Sequence, residues 1–262
     1  MMKKKKEHWT REMFINRARL WLHWMDMNWK NAPKTARNIK KILGKFGITR
    51  GKLLELGCGN GRITINMAKQ GFAATGIDIS QLYIDEARKR SARMHARTNF
   101  ILGDIRYIDK VIHEKFDVII SIWTSIGFYD RKTDEIIFKK VSRLLNKKGI
   151  FMILSTMTRE RIMNIFCPSL YEETDQYIKI NRNDYDKIRS IMHNKWQFYK
   201  KVKKDLIYVD EFDLDLRIYA LPELVDMAER AGLEFKEAYH SIIDLSPVQA
   251  DSAANIVFQR NK

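Results

Sequence analysis

The chain has 262 residues, 45% of them apolar, and a formal charge of +16, which is enough apolar mass for one large core and too much for a disordered polymer. No apolar stretch approaches the ~20 residues a bilayer span needs, and the lysine run at 3–6 is followed by Glu7, His8 and Trp9 rather than by a signal-type apolar segment, so a cytoplasmic protein with no membrane span is expected. Two cysteines, Cys58 and Cys167, make no CxxC pair, and no HExxH or His/Cys cluster accompanies them; neither a disulfide scaffold nor a metal site is expected.

Charge is concentrated at the start: residues 1–52 hold fifteen Lys or Arg against three acidic residues. Two helices are predicted there, about 10–30 and 34–46, with Pro33 between them. Phe14, Ala18, Trp21, Met25 and Trp29 recur at roughly helical spacing and predict an apolar stripe packed on the main body, with the basic residues solvated outside. The competing reading is a phosphate-binding surface for RNA, in which Trp9, Trp21, Trp24 and Trp29 add stacking.

From Lys52 onward short apolar runs alternate with longer amphipathic ones. The runs at 52–56, 73–78, 99–104, 116–122 and 149–155 predict buried strands, with helices near 61–70, 80–95 and 131–146. Runs that are apolar on both faces imply a parallel sheet covered by helices on each side, a doubly wound α/β fold. After Met157 the alternation breaks and glycine nearly vanishes. The stretches 191–202 and 205–220 are rich in aromatic and β-branched residues and predict a half-exposed antiparallel sheet. A helix over 221–231, with Pro222 in its first turn and Gly232 as its stop, precedes strands at 234–240 and 255–260 that complete a mostly parallel seven-stranded sheet. The expected division is an N-terminal basic helical cap (1–50), a main domain (51–156 and 221–262) and an inserted antiparallel lid (157–220).

The stretch LLELGCGNGR at 53–62 places Gly57, Gly59 and Gly61 directly after the first strand. Glycines there let the chain turn sharply and let its backbone approach a ligand. A dinucleotide loop reads GxGxxG, whereas this one reads GxGxG, and Glu55 precedes it where a pyrophosphate meets an unwelcome charge. Asp78 closes the second strand about 20 residues on, the place from which a carboxylate accepts hydrogen bonds from ribose hydroxyls. Asp104 closes the third, positioned for an exocyclic adenine amine, with Ile79 and Ile105 against the base. The pattern asks for an adenosine carrying a cationic, amino-acid-like group, which describes S-adenosylmethionine better than a nicotinamide dinucleotide.

LLELGCGNGR, GIDIS, GDIRYI and FDVIISIWTSIGFY resemble the successive cofactor motifs of the class I S-adenosylmethionine-dependent methyltransferases, of Rossmann-like fold, over about residues 52–155. LRIYALPELVDMAERAGLEF, at 216–235, is similar to the tail of a small-molecule branch of that family. The resemblance implies that Glu55, Gly57, Gly59 and Gly61 line the methionine side, Asp78 takes the ribose, Ile79, Asp104 and Ile105 hold adenine, and Ser121 begins the wall facing the methyl group. Cys58 reads as a small loop filler.

Methyl transfer from a sulfonium needs alignment and at most removal of one proton, so a catalytic motif is not required. SIWTSIGF after the fourth strand lacks the Asn/Asp-Pro-Pro-Tyr/Phe pattern of enzymes acting on base or glutamine amino groups. Trp123 and Tyr129 lie just past that strand and are candidates for the substrate wall; Arg217 and Tyr219 are further substrate candidates from the inserted segment, which also supplies Tyr208. His193 and Tyr129 are the candidate catalytic groups, and His240 and Asp244 lie near the last hairpin. The expected activity is methyl transfer to a small or medium-sized acceptor. The alternatives are an RNA methyltransferase docking through the basic segment and a non-catalytic S-adenosylmethionine-binding sensor or partner subunit. The acceptor atom and oligomeric state are not fixed by these residues.

Overall fold

The computed structural model describes residues 8–261; the lysine run at 3–6 lies outside them. A one-turn helix α1 (Trp9–Arg11) passes into a π-helical turn (Glu12–Asn16), and the chain restarts as α2 (Ala18–Met27) and then α3 (Ala32–Lys45). The long first helix expected from the spacing is therefore broken at Arg17, whose backbone (φ −112°, ψ 20°) leaves the helical region. Its N–H reaches back five residues to the Glu12 carbonyl at 2.9 Å, the signature of a π turn. Arg17 is held there by Asp210 at 2.6 Å and by Glu12, so a tertiary ion pair overrides local periodicity.

The main body runs β1 (Gly51–Leu56), α4 (Arg62–Lys69), β2 (Phe72–Asp78), α5 (Gln81–Arg93), β3 (Thr98–Leu102), β4 (Phe116–Ile122), α6 (Arg131–Leu144) and β5 (Leu145–Thr156). An inserted segment follows, α7 (Arg159–Ile165), β6 (Ser169–Glu173), β7 (Tyr177–Asp186), β8 (Ile191–Val202) and β9 (Asp205–Arg217), and the chain ends with α8 (Leu221–Arg230), β10 (Leu233–Ala238) and β11 (Ala254–Arg260). The seven-stranded sheet has the order β10-β11-β5-β4-β1-β2-β3. Strands β1 to β5 are parallel, and β11 runs antiparallel to both of its neighbours.

Alternate residues of each central strand explain why both faces are covered. Leu53, Val118, Ile120 and Met152 pack with Ile39, Ile42, Ile63 and Met67 of α3 and α4. Their neighbours Leu54, Ile119, Phe151 and Ile153 pack with Phe138, Val141, Leu224 and Met227 of α6 and α8. The order of successive strands reverses between β1 and β4, and a crevice at the carboxyl ends of strands at such a switch point is where open α/β sheets take their ligands.

Gly61 links the glycine loop to this packing. It has φ +79°, and a Cβ there would lie 2.9 Å from the Ala87 Cβ and 3.0 Å from the Phe100 Cζ. Gly61→Ala is expected to cost about 1–3 kcal/mol through overpacking and left-handed backbone strain, read as a lower urea midpoint at unchanged slope. An unchanged midpoint would show that α5 and β3 yield freely.

The inserted segment forms a second, antiparallel sheet of order β6-β7-β8-β9. Sequence patterning predicts only its last two strands, because β6 (SLYEE) and much of β7 (YIKINRNDYD) carry charges and amides that depress β-propensity. The N-terminal segment is packed between the two sheets. Ala18 and Met25 meet Tyr83, with Phe14 and Trp21 alongside, and Trp29 packs against Cys58, Ile65 and Ile84, as the stripe predicts. The opposite side, Met13 and Trp24, meets Phe198, Phe212 and Leu214 of the second sheet. Asp26 receives both arms of Arg90 (2.7 and 3.0 Å) and the Asn60 amide (2.7 Å), tying α2 to the glycine loop.

Lys179 is buried, with its ammonium 4.2 Å from the Trp196 ring centre, 4.9 Å from Trp21 and 5.4 Å from Trp24, and 3.0 Å from Glu172. Cation–π attraction and one carboxylate offset its desolvation. Trp24 is thus buried, and the Trp21 and Trp196 rings stack on one another. These indoles cement the segment to the second sheet and do not form the outward stacking platform that the RNA reading requires.

Candidate active site

At the carboxyl ends of β1, β2 and β4 lies a cavity of about 400 Å³, walled by the strand ends, the N-terminal segment and the inner face of the second sheet. Gly57 and Gly59 form part of its floor, both with positive φ. A Cβ on Gly57 would meet the Ser125 hydroxyl at 2.6 Å, and one on Gly59 the Met25 sulfur at 2.9 Å, so the backbone is presented bare between β4 and α2.

Asp78 ends β2 with its carboxylate in the cavity wall, accepting from the Gly59 N–H (2.8 Å) and the Ser80 N–H (2.9 Å). Burial pushes its pKa up to about 6 against those two bonds. Each oxygen keeps a further acceptor site, the equipment needed for a vicinal diol. Ile79, Asp104 and Ile105 line the adjoining wall. Asp104 caps the following 3-10 turn and holds Arg106 through Nε (2.9 Å) and Nη2 (2.6 Å).

Trp123 and Tyr129 also line the cavity. Trp123 follows β4 with φ +67°, a strained conformation for an indole-bearing residue. Its N–H donates to the Leu154 carbonyl at 2.8 Å, its carbonyl accepts from Thr156 at 2.6 Å, and the Arg62 guanidinium lies 4.4 Å over its ring. Tyr129 sits under Arg106, 4.5 Å from the ring centre. Burial and the nearby Asp104 push its phenol up to about 12, with Arg106 and the Thr10 side chain acting in the opposite sense.

Other expected site residues lie elsewhere. Glu55 is buried behind the loop, where its carboxylate accepts from the backbone N–H and the hydroxyl of Thr64 in the first turn of α4. Burial raises it to about 7, and it does not reach the cavity wall; a carboxylate at a helix N-terminus is already satisfied. Gly61 packs against α5 and β3, as described above. Ser121 is fully buried within β4, and the wall begins one residue later at Ile122. His193, expected as a base, faces solvent and pairs with Asp215 at 2.7 Å. Its neighbours Met192 and Asn194 line the cavity, and strand alternation turns His193 away.

The same parity removes Arg217: Leu216 and Ile218 face the cavity, while Arg217 donates to the Arg189 carbonyl (3.3 Å) and lies 5.3 Å over the Tyr219 ring. Tyr219 is a core residue whose hydroxyl donates to Asp134 at 2.8 Å. Tyr208 is exposed beside Tyr199. His240 is held by Ser252 at 3.0 Å and Asp244 by Ser246, neither lining the cavity. Cys58 is buried, and burial pushes its thiol well up, which suits packing and not nucleophilic attack.

Two residues absent from the sequence-based set belong to the site. Thr10 lines the cavity, and its hydroxyl lies 2.9 Å from His8 Nδ1. The Thr10 backbone N–H also points at that nitrogen, at 3.4 Å, so Nδ1 is the unprotonated, accepting nitrogen and the Thr10 hydroxyl donates to it. The His8 ring lies 4.9 Å from Tyr129. Their only sequence signal is a capping pattern at the start of a helix, which says nothing about chemistry.

Sheet order, glycine floor and strand-end carboxylate together define the fold of a class I S-adenosylmethionine-dependent methyltransferase. Residues 49–211 match the methyltransferase domain family, to which the chain belongs. A Bacillus subtilis (strain 168) protein named "Putative methyltransferase YqeM" is 27% identical over 204 residues, 76% of this chain and 79% of that protein. Among solved structures, an S-adenosylmethionine-dependent methyltransferase from Clostridium acetobutylicum superposes with a TM-score of 0.78 at 15% identity, covering 94% of this chain and 98% of that one. CalS10, an amino pentose methyltransferase from Micromonospora echinaspora with S-adenosylmethionine bound, gives 0.69 at 14% identity, covering 86% and 89%. Among the described residues no helix is long and apolar enough to cross a membrane.

Proposed function

We propose that this methyltransferase acts on a small-molecule acceptor inside the cavity, with the described part of the N-terminal segment, residues 8–50, as a cap and 157–220 as a lid. One observation carries the reading. The wall contains three carboxylates, Asp78, Asp104 and Glu172, and no lysine or arginine among the described residues, with aromatic and aliphatic side chains over most of the rest. Asp104 and Glu172 are paired with Arg106 and Lys179 behind the wall, which leaves Asp78 as the carboxylate with no ion-pair partner among the described residues. A diphosphate finds no cation there, whereas a sulfonium nucleoside finds a complementary field. Gly57, Gly59, Asp78, Ile79, Asp104 and Ile105 would hold S-adenosylmethionine, whose sulfonium supplies an electrophilic methyl group and a leaving group that needs no acid.

The chain's own contribution is then alignment, exclusion of water and removal of one proton. Trp123 and Tyr129 wall the acceptor side. The Tyr129 phenol stays protonated at neutral pH, and the proton path starts at Thr10, which lines the cavity: its oxygen takes the acceptor's proton while its own moves to His8 Nδ1, 2.9 Å away. Burial, reinforced by Arg106, lowers the His8 pKa below 6.5, so the imidazole is neutral and receptive at pH 7.

Incubation with methyl-labelled S-adenosylmethionine and fractionated cell extract tests the proposal. Label is expected in the small-molecule fraction. Label confined to RNA or protein, or tight cofactor binding with no labelled product, would overturn it in favour of an RNA or protein methyltransferase, or of a sensor.

A further inference from the structure

The lid face of the cavity holds a set of amides that the glycine floor and strand-end carboxylates leave unexplained. Asn181 and Asn183 on β7 and Asn194 on β8 all line the cavity, with Asn183 directly opposite Asn194 and Asn181 opposite Trp196. Each commits its amino group to the protein. Asn181 Nδ2 donates to Glu172 Oε1 at 3.2 Å, Asn183 Nδ2 to the Cys167 carbonyl at 2.8 Å, and Asn194 Nδ2 to the Met192 carbonyl at 3.2 Å. Carboxylates and carbonyls only accept, so the amide atom facing them is nitrogen in every case, and the other end of each side chain is a carbonyl oxygen. The Asn181 oxygen is buried without any hydrogen-bond partner, on a residue 6% exposed. Buried polar atoms in native proteins are paired, and this one, on a residue of the cavity wall, has no partner among the described residues.

We infer that this recess recognises hydrogen-bond donors on the methyl acceptor, and that the acceptor is a hydroxyl- or amino-bearing saturated ring of the carbohydrate type; the inference rests on the methyltransferase reading above. Two further features select that class. Trp196 and Trp21, stacked on one another 4.9 Å apart, both line the cavity beside Asn181 and make the flank next to the amides apolar, a complement to the C–H groups of such a ring, while its polar edge meets the amides. Glu172 already pairs with Lys179 at 3.0 Å, so the recess is close to neutral and calls for neutral donors and not for a fixed cation. A quinone or polymethoxylated aromatic brings acceptor oxygens against acceptor oxygens and is excluded on the same ground.

The full chain, saturated with S-adenosylhomocysteine, is titrated with methyl glucopyranoside and its 3-amino-3-deoxy analogue. The donor-free comparators are per-O-methylated methyl glucopyranoside and 2,3-dimethoxybenzoquinone. Binding is followed by tryptophan fluorescence and ligand-observed NMR. The donor-bearing rings are expected to bind at least tenfold more tightly than the capped ring, and Asn181→Leu to abolish that preference while leaving S-adenosylhomocysteine affinity unchanged. Equal or tighter binding of a donor-free probe, no binding of either donor-bearing ring, or a preference that survives in Asn181→Leu would overturn the inference. Failure of the chain to bind S-adenosylhomocysteine would instead sink the methyltransferase reading on which it rests.

Discussion

Asp78→Ala is expected to weaken S-adenosylmethionine binding by about 1.5–3 kcal/mol, the scale of hydrogen bonds to a charged group, which is roughly 10- to 150-fold in Kd by titration calorimetry. Two effects add. The ribose loses its acceptor, and the Gly59 N–H, held by the carboxylate at 2.8 Å, loses the anchor that fixes the loop. The wild-type protein carries its own control in pH. Burial holds Asp78 near 6, and a diol bonds the charged carboxylate in preference to the acid, so cofactor binding lowers that pKa. Affinity is therefore full above pH 6 and falls as pH drops through it, by at most about tenfold per unit. Asp78→Ala should flatten this dependence. Unchanged affinity in the variant would remove Asp78 from the proposed cofactor site.

The contrast between Asp78 and Glu55 shows what was legible in the sequence. Both are carboxylates at the end of an apolar strand, and one-dimensional spacing treats them alike. Asp78 terminates β2 at the cavity, whereas Glu55 is one residue short of the end of β1 and turns behind the loop to Thr64. The central strands were readable because helices cover both faces and leave unbroken apolar runs. Gly57, Gly59, Ile79, Asp104, Ile105, Trp123 and Tyr129 fell in the cavity wall for the same reason, since each closes or follows such a run.

The second sheet was harder because amides interrupt the apolar residues of its inner face where it meets the cavity. Asn181, Asn183 and Asn194 alternate with outward residues as strand positions must, yet amides signal loops to any propensity scale. In β9, by contrast, the alternation is plain in the sequence: Leu214 and Leu216 share one face, so Arg217 belongs to the other. Residues chosen for chemical type alone, His193 and Arg217, failed where that alternation was not applied.

Thr10→Val keeps the shape of the side chain in the cavity wall and removes only the hydroxyl that donates to His8, so it tests the proton path without disturbing the wall. With the acceptor that takes label, kcat at saturating cofactor is expected to fall by ~10²–10⁴, the contribution of a positioned proton acceptor, with little change in the Kd for S-adenosylmethionine. His8→Ala should fall by a similar factor. Because Thr10 and His8 serve one relay, the double variant should be scarcely slower than either single one. Proton acceptance requires neutral His8, so kcat rises with pH through the His8 pKa and is level above it. Burial places that pKa below 6.5, and the plateau should already be reached at neutral pH. The Asp78 effect is separable, since it acts on cofactor affinity and vanishes at saturation. Should Thr10→Val turn over at the wild-type rate, the proton leaves by solvent, and the His8–Thr10 pair is a helix cap and nothing more.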